Sequence, residues 1–396
     1  MKSNKTIAII RGENLNKFEM QNYESLVDSY DITAYTTLHP RFEIKNIHLN
    51  IKKLYSIGDI LYSTPSFLKF PFKGLFSYMG YRHCMFGLEN ELKDKDILHA
   101  AELSNFYSFQ AAKVKEKFNS KLILTIWENI PFNQGIPLYS PLIQNIKDYT
   151  LKKTDIFVAI TKRAKDSLIL ESIPEEKIKI IPPGINLNLF KPDIKNESFI
   201  KELKISENDF IILFIGRLIW QKGIYDLLYS IKKILITRSE LKAKLKLIIA
   251  GDGPEKKSLI KEISRLDLKN NVIFLGKIEY EKTPELYNIA DVFILPSNPT
   301  KIWDEQFGMV LIEAMACGIP IISTQCGSIP EVVGDSAILV SPHDFVELSN
   351  ALAKLIDDAE LRKNLRIKGI KRAKLLYDSN KTSLKLNKIY KNLLDS

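Results

Sequence analysis

"ADVFILPSNPTKIWDEQFGMVLIEAMACGIPIIST", residues 290–324, carries the pattern that decides the fold. "DVFILP" (291–296) and "IPIIST" (319–324) are short, β-branched apolar runs of strand length. Between them a polar approach leads into an apolar helical run from Gly308, stopped by Gly318 and Pro320. Strand, helix, strand is the unit of a parallel sheet. One residue resists this reading. Ten of the eleven residues from Phe307 to Cys317 are apolar or Gly, and the exception is Glu313. A buried carboxylate without a partner is too costly to keep, so Glu313 must hold something. A second carboxylate, Glu305, lies eight residues earlier on the loop before the helix.

The same alternation extends outward along the chain. Strands are expected at 6–10, 31–36, 96–100, 121–127, 155–160 and 178–181, and again at 210–216, 245–251 and 271–276. Helical patterns fall between most of them, for example at 224–238, 254–266 and 283–290. Nearly continuous apolar strands alternating with helices indicate parallel sheets buried on both faces, the doubly wound α/β class. "IIPPGINLNLFKP" (180–192), with its three prolines and one glycine, reads as a linker after which the alternation restarts. Residues 380–396 read as an amphipathic helix, and 37–95 are the least legible stretch.

The chain has 396 residues, a natural length for two domains, and 45% apolar content, enough for two cores. The net charge of +10 is shared evenly, +5 of it in residues 1–200, so neither half reads as a basic nucleic-acid domain. Three unpatterned cysteines (Cys84, Cys317 and Cys326) offer no disulfide framework and fit a reducing compartment. The five-residue apolar run near the start is too short for a signal-peptide core. No stretch reaches the ~18 apolar residues of a membrane span. A cytoplasmic protein is expected.

The helix after Gly308 offers unpaired backbone N–H groups from Phe307 to Val310, a ready site for anions. Carboxylates beside it suit a ligand with hydroxyls on both sides of a phosphate, since each accepts two hydroxyl hydrogen bonds. "FIGRLIWQKG" places Gly216 and Arg217 past a strand end, with Lys222 five residues after Arg217. Ligands in open α/β sheets bind outside the carboxyl ends of strands. There Arg217 and Lys222 are placed to bracket a diphosphate. "AGDGPEKK" (250–257) ends the next strand, and its Gly251 and Gly253 are expected to let backbone approach a ligand.

Together these segments resemble the retaining glycosyltransferases of family 4, which have the GT-B fold. The resemblance lies in "GRL…KG" (216–223), "GDGP" (251–254), "FLG" (274–276), "ADVFILPS" (290–297), "EQFGMVLIEAMACGIPII" (305–322) and "GSIPEVV" (327–333). The spacing of Glu305 and Glu313 matches the family's E-x7-E motif, and "IIPPGINLNLF" resembles its hinge. The resemblance implies two Rossmann-like domains facing across a cleft: 1–185 on the acceptor side and 186–375 for the donor. A C-terminal helix in 376–396 would pack back on the first domain. The donor implied is a nucleoside diphosphate sugar, UDP- or GDP-linked. Carried over, Arg217 and Lys222 take the diphosphate and Glu313 the ribose hydroxyls. Glu305 with the backbone of Phe307, Gly308, Met309 and Val310 takes the sugar and distal phosphate. Arg217, Lys222 and Glu305 are the catalytic candidates.

The family often has a histidine at the end of the strand that here reads "LILTIWENIPF", and this chain has Trp127-Glu128-Asn129. A histidine role cannot be transferred to that position. Gly12, His99 and Glu128 are the acceptor-side candidates, with His99 open to a second reading as a buried structural histidine. Retention without a clear nucleophile implies front-face attack assisted by the leaving diphosphate, with cationic side chains stabilising the departing charge and no metal or other cofactor needed. "DKD" (94–96) superficially resembles a metal-binding motif of another glycosyltransferase class, but it precedes a strand of the first domain.

The alternatives are a non-catalytic sugar-nucleotide-binding protein and another enzyme of the fold, such as a nucleotide-sugar epimerase. A nicotinamide dehydrogenase is disfavoured because no G-x-G-x-x-G follows "TIAII". The expected acceptor is a glycan or a lipid-linked glycan. "SFLKFPFKGLFSYMGYR" (66–82) mixes aromatics with Lys69, Lys73 and Arg82 and has no acidic residue. That composition suits peripheral contact with an anionic membrane, and equally a loop packed on its own domain.

Overall fold

The computed structural model describes residues 5–63, 83–132 and 141–395. The stretch 66–82 lies outside them. The chain divides into two compact units, Met1–Gly184 with Ser379–Ser396, and Ile185–Asp378.

The first unit holds a seven-stranded parallel sheet: β1 (Thr6–Gly12), β2 (Asp31–Thr37), β3 (Asn50–Leu54), β4 (Ile97–Ala101), β5 (Lys121–Ile126), β6 (Ile156–Ala159) and β7 (Ile178–Ile180), in the order β3-β2-β1-β4-β5-β6-β7. Alternate residues of a strand point to opposite faces. Ile7 and Ile9 of β1 enter one core with Ile32, Ile123 and Val158, while Ala8 and Ile10 enter the other with Leu98, Leu122 and Leu124. Both faces are covered, which is why β1 reads as an unbroken apolar run. The helix Ser379–Leu394 belongs to this unit and delivers Leu386 and Tyr390 to the first of those cores. Tyr30 Oη donates to Asn387 Oδ1 at 2.7 Å and Ser383 Oγ to the Asn22 carbonyl at 2.6 Å, fixing the helix in register.

The second unit holds six parallel strands: β8 (Phe210–Ile215), β9 (Leu245–Ala250), β10 (Val272–Gly276), β11 (Val292–Leu295), β12 (Ile321–Thr324) and β13 (Ala337–Val340), in the order β10-β9-β8-β11-β12-β13. Helices Ile224–Thr237, Lys256–Arg265 and Thr283–Ile289 fall where the periodicity places them. In each sheet the chain runs outward from a central strand, then returns to that strand's other side. The reversal lies between β1 and β4 in the first unit and between β8 and β11 in the second. Ligand crevices form at such switch points, outside the carboxyl ends of the strands.

The periodicity misses two strands, β3 and β13, and both are sheet edges. β3 is "NIKKL", with Lys52 and Lys53 exposed, the charged composition that edge strands use against unwanted pairing. The "DKD" segment has a structural explanation. The Asp96 carboxylate accepts from Lys5 Nζ at 3.0 Å and from the Thr6 N–H at 2.8 Å, joining the starts of β1 and β4 at the end of the sheet away from the switch point.

Candidate active site

In the second unit the residues singled out in the sequence gather around the β8/β11 switch point. Arg217 follows β8 and is exposed, and no hydrogen bond or ion pair holds its side chain among the described residues. Lys222 ends a short 3-10 turn, Trp220–Lys222. Its Nζ lies 2.5 Å from Glu305 Oε2. Ser297, just past β11, donates its hydroxyl to the same oxygen at 2.7 Å. Ser328 N–H donates to the Glu305 carbonyl at 2.8 Å, so backbone and side chain of Glu305 are both held. Trp303 covers the ammonium from another side, with Lys222 Nζ 5.1 Å from its ring centroid. The result is a positive group and a carboxylate, largely buried and mutually compensated, with the exposed Arg217 on the loop that also carries Lys222.

Helix Met309–Cys317 starts at Gly308, whose φ of +81° is a left-handed conformation that a residue with Cβ adopts at a cost. Met309 and Val310 form its first turn and are half-buried, while Phe307 is buried under Tyr377 in an edge-to-face contact at 5.7 Å. Glu313 is 3% exposed. Burial pushes its carboxyl up to about 7, and hydrogen bonds from the Tyr287 and Tyr280 hydroxyls act against that rise. Tyr287 Oη lies 2.8 Å from Glu313 Oε2. Glu313 is thus not bare inside the protein: among the described residues its partners are hydroxyl donors and not a cation.

Gly251 and Gly253 serve a close approach within the protein. A Cβ on Gly251 would come within 1.9 Å of the Gly216 carbonyl oxygen, and one on Gly253 within 2.3 Å of that of Leu218. The close approach these glycines permit is of the β9 loop to the β8 loop, tightened by the Leu218 N–H donating to the Asp252 carbonyl at 3.0 Å. They shape the ground on which Gly216 and Arg217 stand.

The first unit divides its candidates. Gly12 ends β1, buried, its carbonyl accepting from Thr36 Oγ1 at 2.8 Å. His99 takes the second of its two readings, the buried structural histidine. It is fully buried, with Nδ1 2.7 Å from Tyr390 Oη and Nε2 2.8 Å from Thr125 Oγ1. Burial and the neighbouring Arg11 guanidinium hold its pKa well below the ordinary histidine range, so it is a neutral core histidine. Glu128 is half-buried after β5, its Oε1 accepting from the N–H groups of Asn129 and Ile130 at 3.0 Å. Sequence reasoning missed Glu102, the first residue past β4 at the switch point. It has φ of +64° and accepts from the Trp127 N–H at 2.8 Å. Burial and the nearby Glu128 raise its carboxyl to about 8. Its signal was available: a lone carboxylate directly after the strand "ILHAA".

Comparison with known proteins adds to this geometry. Residues 195–372 match the family model "Glycosyl transferases group 1", and residues 52–189 match "Glycosyltransferase Family 4". Among solved structures, Anabaena HepE in complex with UDP-glucose aligns with a TM-score of 0.77, covering 98% of this chain and 99% of that one at 17% identity. Sucrose-phosphate synthase from Thermosynechococcus elongatus aligns with a TM-score of 0.75, covering 99% and 100% at 19% identity. The chain has the GT-B fold. Among curated relatives, the N-acetyl-alpha-D-glucosaminyl L-malate synthase of Bacillus anthracis is 32% identical over 232 residues, which is 57% of this chain and 56% of the relative. A D-inositol 3-phosphate glycosyltransferase of Corynebacterium jeikeium is 33% identical over 194 residues, 47% of this chain and 45% of the relative. The matched region spans about half the length of these relatives.

Proposed function

We propose that this GT-B protein is a retaining glycosyltransferase that moves a hexosyl group from a UDP- or GDP-linked sugar to a glycan or lipid-linked acceptor. The observation that carries the reading is the cluster at the β8/β11 switch point. Lys222 and Glu305 are paired at 2.5 Å, exposed Arg217 lies on the same loop after β8 as Lys222, and Glu313 lies in the helix that follows Glu305. Both family models that match the chain describe glycosyltransferases, and the neighbour HepE was solved with UDP-glucose, which supports a nucleotide-sugar donor.

On this reading Arg217 grips the diphosphate with its fork and Lys222 adds a point charge. Glu313 accepts the ribose hydroxyls. Glu305, already oriented by Lys222 and Ser297, accepts hydroxyls of the transferred sugar. The N–H groups of Met309 and Val310 and the positive end of their helix add to the stabilisation of the distal phosphate. As the sugar–phosphate bond breaks, negative charge grows on the leaving diphosphate, and these groups are already in place to meet it. The acceptor falls to the first unit, where Glu102 and Glu128 lie past the carboxyl ends of β4 and β5.

The test is release of free nucleoside diphosphate on incubation with a panel of UDP- and GDP-sugars. Arg217→Ala and Lys222→Ala are each expected to lower turnover by about 10²–10³-fold, the scale of single electrostatic groups at such sites. Activity is expected to persist in EDTA, because cationic side chains do the work a metal would do. Near wild-type turnover in both variants would remove the diphosphate assignment, and binding of sugar nucleotide without release would favour the non-catalytic alternative.

A further inference from the structure

An ionised carboxylate has about four acceptor directions. At Glu313 the protein itself fills part of them. The Tyr287 hydroxyl has one proton and lies between Glu313 Oε2 at 2.8 Å and the Val310 carbonyl at 3.2 Å. The shorter distance and the stronger acceptor direct that proton to the carboxylate. The Tyr280 hydroxyl bonds to the same carboxylate. Neither ring is free to wander. Tyr287 is fully buried, 5.6 Å from Phe293, and Phe190 packs on Tyr287 at 6.3 Å and on Tyr280 at 5.2 Å.

We propose that Tyr287 and Tyr280 are positioning residues that make this site selective for ribonucleotides: they occupy two acceptor directions of Glu313 and leave two, aimed by that occupation, for the vicinal 2′- and 3′-hydroxyls of a ribose. The inference rests on the reading of Glu313 as the ribose ligand. A ligand lacking the 2′-hydroxyl leaves one acceptor direction of a buried carboxylate unmet. Sites built to bond a hydroxyl reject analogues without it for that reason. Tyr287 acts through Glu313 and has no need to touch the ligand.

Calorimetric titration of the full chain with UDP, GDP and their 2′-deoxy forms tests this. The wild type is expected to bind one of the two ribonucleotides about tenfold more tightly than its deoxy form. In Tyr287→Phe the ribonucleotide is expected to lose about that tenfold while the deoxynucleotide changes by less than about twofold, so that the ratio collapses. Tyr280→Phe should shift the ratio the same way, and Glu313→Gln should abolish it. Equal losses of both ligands in the tyrosine variants would mark a merely structural role and overturn the proposal, as would an unchanged ratio. Because the readout is a ratio within one protein sample, partial misfolding of a variant does not imitate it. Wild-type binding with no ribose preference would overturn the inference alone. Failure to bind either UDP or GDP would overturn the donor-site reading as well.

Discussion

At the scale of single residues, Glu313 ties stability to pH and, as the proposed ribose ligand, would tie nucleotide binding to pH with the opposite sign. Its carboxyl rises from 4.5 to about 7 in the fold because burial disfavours the charge. An acid whose folded pKa is raised contributes stability that is fully present below its unfolded pKa and is lost as pH climbs through the folded one. For Glu313 that window runs from 4.5 to about 7 and is worth about 3 kcal/mol. Ribose hydroxyls need the ionised acceptor, so nucleotide affinity should instead rise through the same window. Chemical denaturation and calorimetry at pH 5.5, 6.5 and 7.5 are expected to show the unliganded stability gap between wild type and Glu313→Gln moving against the wild type as pH rises. Nucleotide affinity of the wild type should rise more steeply than that of Glu313→Gln, which keeps only the rise from ionisation of the ligand's own terminal phosphate. Two pH-independent curves in the wild type would remove this linkage. The spacing of Glu305 and Glu313 was visible in the sequence because both lie in one contiguous motif. Ser297, Trp303 and Tyr287 were not, because an aromatic or a serine in an apolar stretch looks the same whether or not its polar atom meets a carboxylate.

At the scale of elements, the helix Ser379–Leu394 is stapled to the first unit through a buried hydroxyl. Tyr390 Oη lies 2.7 Å from His99 Nδ1 and the two rings meet edge to face at 5.9 Å. Tyr390→Phe keeps the ring and removes the bond, leaving a buried imidazole nitrogen unmet at a cost of about 1–3 kcal/mol. A melting temperature lower by roughly 2–10 °C is expected, with nucleotide binding unaffected. An unchanged melting curve would show that the helix is held by apolar packing alone. Strands fully covered on both faces declared themselves by their unbroken apolar runs. Edge strand β3, "NIKKL", did not, since a strand with one neighbour and partly exposed side chains has no reason to be apolar throughout, and β13, "AILV", is apolar but only four residues long. The glycines after β9 are expected from the sequence to let backbone approach a ligand, and in the fold they bring two loops together. A sequence shows that backbone must come close to something, not to what.

At the scale of the whole molecule, no helix among the described residues is long and apolar enough to cross a membrane. The residues bordering 64–82 nonetheless expose a good deal of apolar surface: Tyr62 is 66% and Phe86 47% exposed, the latter stacked on Tyr55 at 6.3 Å. With Lys69, Lys73 and Arg82 in the intervening sequence, weak attachment to an anionic bilayer is expected. Flotation with anionic liposomes should carry the wild type at low salt, less at high salt, and less again for Lys69→Glu/Lys73→Glu. Absence of flotation at low salt would leave a lipid-linked acceptor without support.

The class of fold was determined by the sequence itself. Parallel sheets buried on both faces demand continuous apolar strands, and helices returning the chain demand the 3.6-residue period between them, so the two doubly wound units are written as a local pattern. The E-x7-E spacing was equally local. What only the tertiary structure decided were the partners. Lys222 meets Glu305 across 83 residues and His99 meets Tyr390 across 291. Such pairings depend on which elements lie side by side, and the orders β10-β9-β8-β11-β12-β13 and β3-β2-β1-β4-β5-β6-β7 are properties of the folded sheets. For the same reason His99 could be placed at a strand end but not assigned to solvent or core until Tyr390 and Thr125 were seen to hold both its nitrogens.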